Sequence, residues 1–415
     1  MSSRENLVSI VASSQQDGGV LSGSAPAPAM TVRIARSREE VEAIREIWSS
    51  WKSDRDNDID YCLKVAWSSG DFIRPHVIVI YRNGIPVAML VGRLERARID
   101  TKFGFLQIPG MRARRLMFAS GGFLGDSSPE NCEQLVKSII EALKRKEADV
   151  ALLQHLSTES AAFQKAMCLP GIACRDHLVK PVPHSVMRLS SSIEQVYMGF
   201  SAGLRTELRR KKKRIIRDFG SRVKIQCFQE LAQLESVIPQ VEQIMRMTYQ
   251  RALGVGFRDT EQIRRRLRFY AEQGWLRIYL LTLNEKPAAF CIGPFYNGRF
   301  YTDYLGFDPE VAAYSPGTFL LAAMIEDFCS TGVKEIELGP GAGRYKRRFG
   351  NFHWNERSVY IFAPNLKGIA LNSVRFAEGV TSGAIRRVLE LTNLLPRVKR
   401  LWRSRLTSHL HHSVA

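Results

Sequence analysis

The residues best suited to chemistry lie between Phe300 and Gly350, in FYTDYLGFDPEVAAYSPGTFLLAAMIEDFCSTGVKEIELGPGAGRYKRRFG. Asp303 offers a carboxylate that could take a proton from an incoming amine or hydroxyl. Strand alternation puts it on one face with Tyr301, and Thr302 and Tyr304 on the other. An Asp there also suits a sheet edge, bonded to a loop. The step Tyr314-Ser315-Pro316-Gly317-Thr318 reads as a helix start. Ser315 suits an N-cap and Pro316 the first helical position. Gly317 lets a ligand approach the backbone, and Thr318 adds a hydroxyl. Exposed N–H groups at such a start suit a pyrophosphate; the same residues also suit a capped core helix. Gly339-Pro340-Gly341 breaks a strand ahead of Tyr345-Lys346-Arg347-Arg348. Tyr345 could protonate a departing thiolate, and Lys346 could hold a phosphate or an oxyanion. A run of three cations is otherwise a solvated basic turn.

The elements that must hold these residues follow from periodicity. The pattern predicts a strand at Val223–Phe228 and helices near Leu231–Leu253 and Thr260–Gln273. A hairpin and a strand at Arg299–Phe307 come next. A helix from Pro316 to Gly332, a strand at Lys334–Leu338, a short basic helix near Tyr345 and a strand at Arg357–Phe362 complete the unit. An earlier unit runs similarly: strand Thr31–Ala35, helix Glu39–Trp51, hairpin, helix Cys132–Lys146 and strand Asp149–Leu153. The two hairpins, VIVIYRNGIPVAMLVG at 77–92 and IYLLTLNEKPAAFCIG at 278–293, match at a constant offset. Asn83 corresponds to Asn284, Pro86 to Pro287, Ala88 to Ala289 and Gly92 to Gly293, which indicates duplication. The expected divisions are a disordered leader over 1–30, a first domain over 31–195, a second over 196–365 and a basic helical tail over 366–415.

This order of elements resembles the GNAT fold, a mixed-sheet α/β (α+β) architecture, here in tandem. Phe307-Asp308-Pro309, the Ser315–Thr318 block, Gly339 and Tyr345–Gly350 resemble its cellulose-biosynthesis-associated (CelD/BcsL-like) branch, related to FemAB-like peptidyltransferases. The resemblance implies an acyl-CoA N-acyltransferase fold, with the donor held where the fourth strand splays from the fifth. It places the pyrophosphate at Ser315, Pro316, Gly317 and Thr318. The residues themselves offer Asp303, or a bound water, as base, Tyr345 as acid and Lys346 for a phosphate or oxyanion. Tyr301, Glu337 and Arg209 are expected to contact substrate. Glu337 stands where the branch usually has Asp, and the paired-glycine phosphate signature of GNAT proteins is absent. The first unit lacks both the Ser-Pro-Gly-Thr and the Tyr-Lys blocks and reads as a degenerate, structural copy.

Charge and composition narrow the partners. The 415-residue chain carries a net charge of +19, with 45% hydrophobic and 24% charged residues. Globular composition with no apolar run of about 18 residues predicts a cytoplasmic protein, peripheral to a membrane at most. The charge suggests an anionic partner: a phosphorylated acceptor, an anionic membrane surface, tRNA or an acidic carrier protein. Leu204–Arg217 reads as a helix with an apolar stripe at Leu204, Leu208 and Ile215 and cations from Arg209 to Arg214, able to clamp phosphates or simply be solvated. The tail Ile385–Leu410 is basic and interrupted by Pro396, and removing everything after Asn365 is expected to leave the core folded. The 7 cysteines and 8 histidines show no zinc spacing, so no metal is expected. No GxSxG is present. The leading expectation is direct transfer of an acyl group, acetyl by preference, from CoA to an amine or hydroxyl of a sugar, lipid or envelope precursor. The alternatives are aminoacyl-tRNA as donor and a non-catalytic role in polysaccharide assembly.

Overall fold

The computed structural model describes residues 30–392 other than 69, 104–105, 178–180, 249–250 and 252–255. The expected leader and the tail beyond 392 lie outside them. One mixed sheet of fourteen strands runs through the molecule. In chain order these are β1 (Met30–Ala35), β2 (Phe72–Pro75), β3 (Val77–Arg82), β4 (Ile85–Phe103), β5 (Leu106–Gly125), β6 (Val150–Ser157) and β7 (Val182–Arg188). Then follow β8 (Val223–Phe228), β9 (Leu276–Leu283), β10 (Lys286–Tyr296), β11 (Arg299–Tyr301), β12 (Tyr304–Phe307), β13 (Glu335–Pro340) and β14 (Phe352–Phe362). The helices used below are α1 (Pro129–Lys144), α2 (Ala202–Phe219), α3 (Leu234–Arg246), α4 (Glu261–Glu272), α5 (Pro316–Thr331), α6 (Arg344–Phe349) and α7 (Leu366–Leu391).

The sheet order is β1-β3-β4-β5-β6-β14-β7-β13-β11-β10-β9-β8, with β2 on β4 and β12 on β10. Read from each end inward, the two halves repeat. Both hairpins pair in the same register: Ile78 faces Leu90 where Tyr279 faces Cys291, and Ile80 faces Ala88 where Leu281 faces Ala289. Both carry a bulge at the same place, between Ala88 and Pro86 and between Ala289 and Pro287. Asn83 and Asn284 turn with φ of 52° and 51°. The matched glycines have a packing cause: a Cβ on Gly92 would lie 2.4 Å from the Phe118 ring, and one on Gly293 would lie 1.6 Å from the Tyr301 carbonyl oxygen. In both halves a parallel pair follows, β5 with β6 and β11 with β13.

The closing strands are exchanged. β7 follows the first half in sequence, yet it pairs antiparallel with β13 of the second. β14 ends the second half and pairs antiparallel with β6 of the first. The two meet at the centre of the sheet, also antiparallel. Each core is completed by the other half's strand: Val359 and Ile361 pack with the first-half core, and Met187 packs with the second.

The central helices repeat as well. α1 and α5 each span sixteen residues and each begin on Pro after Ser, at Ser128-Pro129 and Ser315-Pro316. α1 then has Glu130 and Asn131 where α5 has Gly317 and Thr318. Glu130 brings its own negative charge to the first-half helix start, which answers the dipole there without a ligand.

Several local expectations change. The Glu39–Trp51 helix is two short ones, Arg38–Glu42 and Arg45–Ser50. The strand expected over Arg299–Phe307 is broken into β11 and β12 at Thr302–Asp303. Among the described residues no helix is long and apolar enough to cross a membrane. The beginning of the tail is not free: α7 buries Leu371 against Ile99, Ala113, Val150 and Phe362. The Asn372 amide donates to the carbonyls of Ala173 and Arg175 at 2.8 and 3.0 Å. Truncation after Asn365 should therefore cost about 2–4 kcal/mol, from a buried leucine and two partly buried hydrogen bonds. Urea unfolding of the truncated form beside the full chain checks this.

Candidate active site

After Tyr301, β11 and β13 no longer pair, and the chain crosses to β12 on the far side of the break. The Thr302 backbone N–H and hydroxyl both donate to the Glu337 carbonyl, at 3.1 and 2.8 Å, and pin the point of splay. A cavity of about 260 Å³ opens there. It is bounded by Thr302 and Leu338 at the splay, by Ser315–Thr318 at its mouth, by Leu320 and Met324 of α5, and by Tyr345 and Phe349 of α6. Two sequence blocks far apart in the chain thus share one lining.

The mouth departs from the expected capped helix. Ser315 does not cap with its side chain; it sits in the left-handed region at φ 55°, ψ 53°. For a residue with a Cβ this is strained backbone, of the kind that clusters at ligand sites. At Gly317 an added Cβ would meet nothing closer than the Phe307 ring at 3.7 Å. Packing therefore does not demand glycine there, whereas close approach of a ligand would. Arg214 of α2 stacks on the Tyr314 ring at 4.7 Å and donates to the Ala313 carbonyl at 3.2 Å, which brings a guanidinium beside this mouth. The expected stripe of α2 is buried as Leu204, Leu208 and Ile215. Arg209 lies on the exposed side of that helix.

The other expected residues fall outside the cavity lining. The break at Thr302–Asp303 upsets simple alternation. Tyr301 and Asp303 face the first half, and Tyr304 joins their side through Arg266, 3.4 Å from its hydroxyl, rather than the Thr302 side. Asp303 accepts from the Arg55 guanidinium at 2.5 Å and from the Tyr270 hydroxyl at 3.4 Å. The Tyr301 hydroxyl donates to Asp54 at 3.0 Å, and burial pushes its pKa well up. Burial also raises the Asp54 carboxyl, against the pull of Arg299. The Lys346 ammonium donates to the Pro340 carbonyl at 2.7 Å and ties down the bend before α6. Burial lowers its pKa, and burial raises that of Tyr345.

A polar cluster at the centre of the sheet went unread in the sequence. His184 of β7 bonds Glu337 of β13 through one ring nitrogen and Glu356 of β14 through the other, the latter at 2.6 Å. Its ring stacks on Trp354 at 4.1 Å. His155 of β6 binds the second oxygen of Glu356 at 2.5 Å. Glu337 also accepts from the Gly339 N–H at 2.9 Å. The exchanged strands thus bring a histidine from the first half to the carboxylate expected to contact substrate in the second. No local motif marks His184.

Residues 202–347 match the family model described as an acetyltransferase (GNAT) domain. The second half carries a GNAT-type domain. The match runs from α2 into α6 and takes in neither β7 nor β14. The mixed sheet and its internal repeat give the tandem form of this fold. The chain is similar to the solved structure of FemX, at 12% identity over 69% of this chain and 88% of that one, TM-score 0.48. It is similar to a tandem GNAT protein from the clavulanic acid biosynthesis pathway, at 10% identity over 81% and 99%, TM-score 0.47. It is also similar to L-PGS from Bacillus licheniformis, at 12% identity over 83% and 97%, TM-score 0.45. No curated protein matches the sequence.

The central histidine is expected to make the stability of the sheet depend on pH. Burial by itself would lower the His184 pKa, but bonds to Glu337 and Glu356 outweigh it and raise it to about 9. A pKa raised on folding stabilises the fold fully below the unfolded value, about 6.5, and that gain is lost as pH rises through about 9. Full-length protein should lose on the order of 3 kcal/mol between pH 6.5 and 9.5 from this group. His184→Gln should be less stable at pH 6.5 and much flatter across the same window, as measured by urea unfolding at both ends.

Proposed function

We propose that the protein transfers an acyl group from a CoA thioester to an amine or hydroxyl, at the splay between β11 and β13. The observation that carries this is the shared cavity lined by the Ser315–Thr318 mouth and the Tyr345 side chain. The CoA pyrophosphate lies at the start of α5, beside Arg214, and the pantetheine arm enters along Phe307 and Leu305. The thioester then reaches Thr302 and Leu338. The acceptor nitrogen or oxygen attacks the carbonyl carbon, the C–S bond breaks, and the Tyr345 hydroxyl protonates the leaving thiolate. Asp303, already paired with Arg55, orients the acceptor side together with Tyr301; a bound water takes the acceptor's proton. Lys346 holds the loop that positions Tyr345, and Glu337, fixed by His184, lines the acceptor side. Orientation supplies much of the acceleration. The acceptor class is a sugar, lipid or envelope precursor, as in the cellulose-associated branch that the Ser315 and Tyr345 blocks resemble.

The open cavity over Gly317 favours catalysis over a purely structural role, because the protein's own side chains leave it unfilled. Besides Arg214 at the mouth, α2 exposes further cations, Arg210 and Lys213 among them, which also suit a longer phosphate chain, so charged tRNA is the second donor to test, by filter binding at physiological salt.

Isothermal titration with acetyl-CoA and longer acyl-CoAs should show one site; absence of binding by every CoA ester would end this reading. Once an acceptor is in hand, Tyr345→Phe should lower kcat about tenfold or more while donor affinity stays similar. Lys346→Ala, which frees the bend at Pro340, should lower either affinity or rate by about tenfold, and Lys346→Arg should restore only part of it.

A further inference from the structure

α7 runs for 26 residues and turns a largely polar side toward the protein. On that side the Asn372 amide donates to the Ala173 and Arg175 carbonyls. Arg375 lies over the Tyr360 ring at 4.1 Å and reaches Asp176 at 3.5 Å. Leu371 is buried beside them. At Gly368 the helix sits so close that a Cβ would lie 2.1 Å from the Ala363 carbonyl oxygen.

The opposite side is apolar and meets solvent. Leu366, Ile369, Phe376, Val380 and Leu391 are all exposed, Leu366 by 90% and Leu391 by 78%. At 3.6 residues per turn their positions fall within roughly 80° of arc, which makes one continuous stripe. A surface helix ordinarily buries its apolar stripe and leaves its polar side in water. Here the order is reversed, and an apolar stripe left outside marks an interaction surface.

Charge selects what covers it. Among the described residues exposed on α7, the charged ones are Lys367 and Arg387, both cations. Lys367 is paired with Asp149 at 2.8 Å. After Glu390 the sequence carries Arg397, Lys399, Arg400, Arg403 and Arg405 and no acidic residue. A second copy of the chain seated on the stripe would bring a further net charge of +19 against the first, which opposes self-association. An anionic bilayer offers apolar depth to the stripe and countercharge to the cations.

We infer that α7 lies flat on an anionic phospholipid surface, with the stripe from Ile369 to Val380 sunk among the headgroups. The contact is peripheral and spans nothing. It involves neither the cavity at α5 nor any step of the acyl transfer, so its failure would leave that reading standing.

Cosedimentation of the full chain with vesicles of phosphatidylcholine, with and without phosphatidylglycerol, is the direct test. Binding to the vesicles that contain phosphatidylglycerol is expected, weakening as salt screens the charges. The double variant Phe376→Ser, Val380→Ser alters two exposed side chains. It should melt at the same temperature as the unaltered chain, yet bind these vesicles about tenfold or more weakly, because two apolar groups no longer enter the lipid. Sedimentation equilibrium without lipid should show the same mass for both forms. Three results would overturn the inference. One is no binding to the phosphatidylglycerol vesicles. Another is equal binding by the variant, which would assign the attraction to charge alone. The third is a dimer of the unaltered chain that the double variant dissolves, which would make the stripe a contact between copies.

Discussion

The exchange of β7 and β14 is the constraint on which the rest of this molecule depends. Each half contributes the strand that closes the other's core, with Val359 and Ile361 packed into the first and Met187 into the second. Neither core can be completed by its own stretch of sequence alone. The exchange turns two repeats into one sheet with a buried polar seam, where His184 lies between Glu337 and Glu356. Two buried carboxylates facing each other would be costly; a histidine between them makes the arrangement tenable. The first half thus supplies the histidine that bonds Glu337 of the second.

The seam sits beside the place where β11 and β13 part. The proposed transfer needs that parting, since a continuous ladder would leave no room for a donor. In the first half β5 and β6 also part after Phe118 and Leu153, and β5 jumps from Phe118 to Phe123 in its register on β4, but the α1 start carries Glu130. In the second the equivalent strand is broken at Thr302–Asp303, and the α5 start carries Gly317. One duplicated frame thus has glycine at one helix start and an acidic residue at the other. The Asp303–Arg55 pair adds a second tie between halves, on the face away from the cavity.

Much of this was legible in the sequence, for identifiable reasons. The hairpins could be matched because their turns need Asn at positive φ and their last glycines need close approach, and such demands leave fixed residues. The α2 stripe and the Pro316 helix follow from periodicity and from punctuation. The long-range pairs were not legible. Glu356 meets His184 across 172 residues, and Asp303 meets Arg55 across 248. No local pattern signals either contact. Ser315 looked like a cap because Ser before Pro usually is one; its left-handed backbone depends on the turn packed ahead of it. The break in the strand at Thr302 was hidden because its residues alternate as a strand would. The Ser-Pro step at Ser128 was visible, but without glycine and threonine after it the kinship with Ser315 showed only when both helices proved equal in length and place.

The central claim is that the donor sits in the second half, between the start of α5 and Tyr345. Hydrogen–deuterium exchange of the full chain with and without acetyl-CoA tests it most directly, because it reports location as well as binding. The account predicts added protection in peptides spanning Ser315–Leu321 and Arg344–Gly350, and little change at Pro129–Val136. Protection centred on the α1 start, or none at the α5 start under saturating acetyl-CoA, would contradict it.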